Sequence, residues 1–351
     1  MIKYLIPFIA SLLITLILTP MIRRWAIGKK YYDQPNERKI HTNPIPRLGG
    51  IAIFLSWLIV TITIYIIDPN LLHFSTEKLL GIDKNLLGVI IGALILFITG
   101  VVDDIKGMKP PVKLVLIIIA SSVVALCGIK IWWFSNPFGN LLVLGSWSFV
   151  FVVLWVTLIV NVLNWLDGID GLATGVSIIA AIVLFLLSIS DNVNQPSISI
   201  LLSVFAGSLI GFLPYNFNPA KIFLGDSGSL FLGFIIAIAA IISGGKVATA
   251  FLVLGLPIID VFWVIIGRIM HKKSPMKADR THLHHRLLDA GFSQKQIVIL
   301  FYLVSATFGY LALKNTTLGK FEASLWLFVI MIALAIILFF SKIIRNKKRT
   351  I

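Results

Sequence analysis

The chain has 351 residues, of which 58% are hydrophobic and 13% charged, against roughly 25% charged in ordinary soluble domains. A mean hydropathy of +0.98 excludes a soluble globule, because a core of that size could not hide so much apolar surface. The net charge of +15 raises nucleic acid as a partner, but the placement of Lys and Arg accounts for it otherwise. The single cysteine, Cys127, lies in an apolar run and reads as an inert buried thiol.

About 20 mostly apolar residues are needed for a helix to cross a bilayer. The first such run, Leu5 to Met21, is too long for a secretory h-region, has no small-x-small cleavage pattern, and is closed by Arg23 and Arg24. It reads as a permanent span with its N-terminus outside. Further runs are centred near Trp57, Leu94, Ile119, Trp155, Ile182, Phe205, Ile235, Phe262, Val304 and Val329, which with the first near Leu13 makes about eleven. Between Ile129 and Trp147, two β-rich runs around Asn136, Pro137, Gly139 and Asn140 predict a short external hairpin instead of a span. The expected fold is therefore all-α: one polytopic transmembrane helical bundle over 1–351, without internal repeat or second domain.

Eleven spans place alternate loops on opposite sides. One set of loops, together with the C-terminus, holds twenty-three of the thirty Lys and Arg residues, and the other set holds seven. Positive residues mark the cytoplasmic side, so the first set and the C-terminal tail are expected inside. Nucleic-acid binding then has neither a spare charge excess nor a motif to support it.

Acidic residues are scarce, fifteen in all. Asp68, Glu77, Asp83, Asp191 and Glu322 are scattered singly through the external loops and read as solvated charges. The inner side holds Asp103 and Asp104 in VVDDIKG, Asn164, Asp167 and Asp170 in NWLDGIDG, and Asp226 in FLGDSGS, with Asp260 deeper in the ninth span. Carboxylates near the hydrocarbon boundary usually line an aqueous cavity and pair with something. The spacing of three predicts Asn164, Asp167 and Asp170 on one helical face. Each cluster has a plainer reading: a helix end entering solvent for Asp103-Asp104, capping for the second group, an N-cap for Asp226. Taken together on one face, they suit hard oxygen coordination of Mg²⁺ better than zinc.

The loop after the ninth span, HKKSPMKADRTHLHHRLLDAG, places His282, His284 and His285 among Arg280 and Arg286. Zinc would want further well-spaced ligands, and none is evident. A pyrophosphate clamp suits the forked Arg donors, and a purely structural turn also accommodates the segment. Gly291 is expected to stop a short helix, with Ser293 and Gln296 forming a capping box for the next. The first inner loop, DQPNERKIHTNPIPRLGG, adds Arg38, Lys39, His41 and Arg47 on a proline-shaped path.

These five segments, in this order, resemble the polyprenyl-phosphate N-acetylhexosamine-1-phosphate transferases, and the likeness runs over nearly the whole chain. The resemblance implies a Mg²⁺-dependent enzyme, with Mn²⁺ as a substitute ion. It would transfer a sugar 1-phosphate from a UDP-sugar to undecaprenyl phosphate at the cytoplasmic face of a bacterial inner membrane, releasing UMP and initiating an envelope polymer such as teichoic acid or lipopolysaccharide. It implies Asp103, Asp104, Asp167 and Asp170 as catalytic, and Asp226, Asp104 and Asp167 as metal ligands. Lys39, His41, Asn164, Asn216, Arg280, His282, His284, His285 and Arg286 would bind substrate, and a homodimer is an expected assembly. Leu283 interrupts what the peptidoglycan translocase branch carries as three consecutive histidines, so the likeness favours UDP-GlcNAc over UDP-MurNAc-pentapeptide. A secondary transporter is the rival of another class, but its acids would sit near the midplane within inverted repeats.

Overall fold

The computed structural model describes the chain except residues 34–43, 135, 137, 192, 244–246, 273, 275–280 and 350–351, and the side chains of 335 and 337–349. In chain order the elements are α1 (Ile2–Gly28), β1 (Tyr32–Asp33), β2 (Ile45–Pro46), α2 (Gly50–Ile67), β3 (Lys78–Leu79), β4 (Ile82–Asp83), α3 (Lys84–Lys106) and α4 (Pro110–Leu126). They continue with β5 (Trp133–Phe134), β6 (Leu142–Val143), α5 (Ser148–Leu166), α6 (Leu172–Ser188), α7 (Pro196–Asn216), α8 (Asp226–Ile242) and α9 (Val247–Val253). The chain closes with α10 (Gly255–Met270), α11 (Leu283–Asp289), α12 (Gln294–Lys314) and α13 (Thr317–Arg349). The strands form three two-residue antiparallel pairs among the described residues. One of them pairs Trp133 with Val143 and Phe134 with Leu142 on either side of the Asn136 to Asn140 stretch, of which Pro137 lies outside the described residues.

All eleven expected span centres fall in helices. Among the described residues, α1, α2, α3, α5, α7, α12 and the first part of α13 are long and apolar enough to cross a membrane, while α4, α6 and α8 are apolar with 17 residues each. The chain is a multi-pass membrane protein. α1 is apolar on every side, and its burial follows size more than polarity. On α1 the small Ser11, Thr15 and Thr19 face inward while Ile6, Leu13 and Ile17 are exposed. Close helix approach in lipid favours this pattern, since lipid tails solvate large apolar side chains as well as a protein core does.

The expected ninth span is not one helix. It breaks at Leu254, and α9 meets α10 at 80°. Pro257 explains the break, because its nitrogen has no hydrogen to donate and its ring would clash with the carbonyl of residue 253 in a continuous helix.

Asp83, expected as a solvated loop charge, is 3% exposed. Its carboxylate accepts backbone N–H bonds from Phe74, Ser75, Asn85 and Leu86, capping α3 and tying down the loop before it. The capping box at Ser293 and Gln296 is present as expected, and Gly291 follows α11 with φ +100°.

The centre of the molecule is α7 and α8, buried along most of their length. The N-terminus of α8 packs closely against the start of α2. The backbone N–H groups of Gly49 and Gly50 donate to the carbonyls of Phe223 and Leu224 at 2.9 and 2.8 Å, and a methyl on Gly50 would lie 2.0 Å from the Gly228 nitrogen. This contact sets the starts of α2 and α8 side by side.

Candidate active site

Where α3 and α5 end and α8 begins, a cavity of about 270 Å³ opens. Its walls include Asp104, Asp167, Asp170, Asp226 and His285, together with Asp33 of β1 and Arg47 just after β2.

Asp104 builds the corner. Its Oδ1 accepts the Asp226 backbone N–H at 2.9 Å and its Oδ2 that of Ser227 at 3.0 Å. A carboxylate from α3 thus caps the first turn of α8, where orphan N–H groups and the helix dipole both favour negative charge. The cap depends on Gly225, whose φ of +73° is left-handed and whose added methyl would lie 2.5 Å from Asp104 Oδ2. Gly225→Ala is expected to cost about 1–2 kcal/mol in backbone strain and to push Asp104 off its donors. The thermal transition should fall and turnover should drop roughly tenfold or more. Wild-type values for both would mean that the α8 start is not held as described.

Asp226 projects from that first turn. Its carboxylate pairs with Lys113, which also pairs with Asp103, so one ammonium bridges acids from α3 and α8. Lys113 stands there because Pro110 and Pro111 open α4, and the lysine falls in its first turn. Asn164, near the end of α5, donates to Ser229 Oγ at 2.9 Å and also reaches Asp226.

Asn164, Asp167 and Asp170 do not share a helical face. α5 stops at Leu166, Asp167 caps it, and Asp170 lies in the turn before Gly171, which opens α6. The turn nonetheless brings Asp167 and Asp170 to the cavity. Burial raises the Asp167 carboxyl well above the usual carboxylate range, and the charges of Asp226, Asp104 and Asp170 raise it further. Asp170 Oδ2 accepts from Asn218 Nδ2 at 2.9 Å and from the Ala220 N–H at 3.0 Å. Asn216 is 2% exposed; it accepts from Thr174 Oγ1 at 2.8 Å and donates to the Ile222 carbonyl at 3.2 Å. It lines the cavity with both ends of its amide already engaged in holding the wall.

Of the histidines, His285 lines the cavity, while His282 and His284 pack behind it, 7% and 2% exposed. Burial, and then His285 and His282, hold His284 well below the ordinary imidazole range, so it is neutral. Its Nε2 lies 2.4 Å from where a methyl on Gly168 would stand, which makes Gly168 the floor on which this ring rests. Arg286 lies in α11, apart from the residues lining the cavity. Lys39, His41 and Arg280 lie outside the described residues.

Sequence reasoning missed Lys113, which reads as one more topology lysine, and Gln294. It also left aside the Asp33–Arg47 ion pair, whose partners face each other only once β1 and β2 have paired.

No group of three or more His, Cys, Asp or Glu side chains among the described residues is arranged to hold a metal by itself. The donors at hand, Asp167 and Asp226, are carboxylates on one cavity, and the repulsion that raises Asp167 is what a cation would relieve. This donor set suits Mg²⁺, which takes one or two carboxylates and completes its shell with water and substrate phosphate.

An acid-walled cavity at the helix ends of a multi-pass membrane protein defines the class. Its kinship is specific: the sequence profile described as "Glycosyl transferase family 4" matches residues 86–244. Among relatives, the Bacillus subtilis protein named "Probable undecaprenyl-phosphate N-acetylglucosaminyl 1-phosphate transferase" is 34% identical over 96% of this chain and 90% of its own. The Thermotoga maritima undecaprenyl-phosphate alpha-N-acetylglucosaminyl 1-phosphate transferase is 30% identical over 78% of each chain. The phospho-N-acetylmuramoyl-pentapeptide-transferase of Staphylococcus carnosus is 29% identical over 88% of this chain and 97% of its own. The chain belongs to glycosyl transferase family 4.

Proposed function

We propose that this protein transfers GlcNAc 1-phosphate from UDP-GlcNAc to undecaprenyl phosphate, giving undecaprenyl-diphosphate-GlcNAc and UMP, at the cytoplasmic face of a bacterial inner membrane. The observation that carries the reading is the convergence of Asp104, Asp167, Asp170 and Asp226 from three separate segments on one cavity, with Asp103 behind it joined to Asp226 through Lys113, in a chain similar over nearly its whole length to a relative of that name. The charge asymmetry of the loops supports the cytoplasmic side.

A lipid phosphate oxygen attacks the β-phosphorus of the nucleotide sugar. The bond from that phosphorus to the bridging oxygen breaks, and the electron pair leaves with UMP. The lipid phosphate is largely ionised at neutral pH, so no strong base is required. The protein's contribution is then positioning and charge neutralisation. Asp226 and Asp167 would hold Mg²⁺, or Mn²⁺ in its place, and the bound ion would screen the diphosphate and the departing UMP. Asp104 holds the α8 start in register, Lys113 balances Asp103 and Asp226, and Arg47 and His285 offer donors to phosphate oxygens from the same cavity lining.

The relative named for N-acetylmuramoyl-pentapeptide transfer marks the competing donor sugar. Purified protein with undecaprenyl phosphate, Mg²⁺ and UDP-sugars labelled in the sugar should turn UDP-GlcNAc into labelled lipid with equimolar UMP, and should leave UDP-MurNAc-pentapeptide untouched. Lipid product from the pentapeptide substrate alone would move the chain to the other branch. Flux into vesicles without product would make it a transporter.

A further inference from the structure

One buried acid neither lines the cavity nor caps the helix it belongs to. Asp260 lies within α10, 6% exposed, at a depth where an ionised side chain needs a partner. Both its oxygens are engaged by the histidine segment: Oδ2 is 2.9 Å from His282 Nδ1, and Oδ1 accepts the Leu283 backbone N–H at 2.8 Å. The contact joins residues 22 and 23 positions apart and fastens the start of α11 to the membrane bundle.

From His282 the contacts run directly toward the cavity. Its ring packs on Trp165 at 5.6 Å, and Trp165 in turn lies against Arg268 of α10 at 5.7 Å. The His282 and His284 rings are parallel within 3° at 5.8 Å, and His284 meets the cavity-lining His285 at 4.3 Å while resting on Gly168. Gly168 adjoins Asp167. A shift of His282 therefore reaches both His285 and the turn that carries Asp167, each of which lines the cavity.

We infer that Asp260 is a positioning residue: it fixes His282 as the Nδ1–H tautomer and thereby sets the His284–His285 pair against the Asp167 turn. An ionised carboxylate can only accept hydrogen bonds, so the nitrogen facing it must carry the proton. Outer partners of this kind typically control activity about 10- to 100-fold through the group they orient. The kinetic arm of the inference rests on the transferase reading; the tautomer does not.

Asp260→Asn separates orientation from mere packing, because it keeps the size of the side chain. The Leu283 N–H can only donate, so the asparagine oxygen must face it and the amide NH₂ must face His282 Nδ1. That reverses the tautomer to Nε2–H. The experiment uses the full chain, ¹⁵N-labelled at histidine, in lipid nanodiscs, with His282 assigned by its loss in His282→Gln. Wild type should show His282 protonated at Nδ1 and Asp260→Asn should show it protonated at Nε2, with kcat/KM for UDP-GlcNAc about 10- to 100-fold lower. A wild-type His282 whose Nδ1 carries no proton overturns the inference whether or not the variant folds. So does a folded Asp260→Asn whose kcat/KM is within twofold of wild type. Absence of transfer by the wild type would refute the proposed reaction while leaving the nitrogen shifts to judge the Asp260–His282 pair.

Discussion

Asp226→Asn is expected to abolish transfer while leaving the chain folded. The backbone role of residue 226, donating its N–H to Asp104, does not involve its side chain and survives the change. Asparagine also keeps the shape that meets Asn164, and Lys113 keeps Asp103 as its partner. What disappears is one negative charge beside the place where a cation and a diphosphate would meet. Charge stabilisation by a correctly held metal is worth several kcal/mol in the transition state, so a loss of at least about 10³-fold in kcat follows. Two controls give the result its meaning. The thermal transition in detergent should move little, and raising Mg²⁺ should recover only a small part of the activity, because the second carboxylate, Asp167, remains. Near-normal turnover would end the proposal that Asp226 holds the ion.

The sequence made the bundle legible because a span announces itself in twenty contiguous residues, and each apolar run became a helix. It did not show the fold of the ninth span. The apolar run continues through Leu254, and only Pro257 signals that the backbone cannot. The acids of the candidate site were legible as clusters, and the family order of the motifs told which ones should meet. The share each carries was not legible. Asp103 and Asp104 are neighbours in sequence, yet one is paired with Lys113 and the other caps a helix that begins 122 residues later. The same blindness hid the latch at Asp260, whose partners are a ring and a backbone N–H brought over by a loop. Spacing rules describe one helix at a time, and NWLDGIDG departs from its helix at Asp167. Polar side chains that work across elements are visible only when both elements are in place.

Lys113→Met should be the second most damaging change, lowering kcat by about 10²–10³-fold, because removing one partner of a shielded charge cluster leaves the others uncompensated at a cost of about 3–5 kcal/mol. The lysine is the one described cation joined to both Asp103 and Asp226, and all three side chains are largely shielded from solvent. Without it, two carboxylates face each other with no counter-charge, which either raises the affinity of one for a proton or draws a cation more strongly. The metal titration distinguishes this from simple unfolding. Lys113 and a divalent ion would both draw on the Asp226 carboxylate, so the Mg²⁺ concentration giving half-maximal residual activity should fall in Lys113→Met even as the maximum collapses. Lys113→Arg retains the charge but spreads it over a planar fork too wide for the space between two acids, so only part of the rate should return. A Lys113→Met enzyme within tenfold of wild type, or one that needs more Mg²⁺ than wild type, would show that the bridge between α3 and α8 serves the fold and not the transfer.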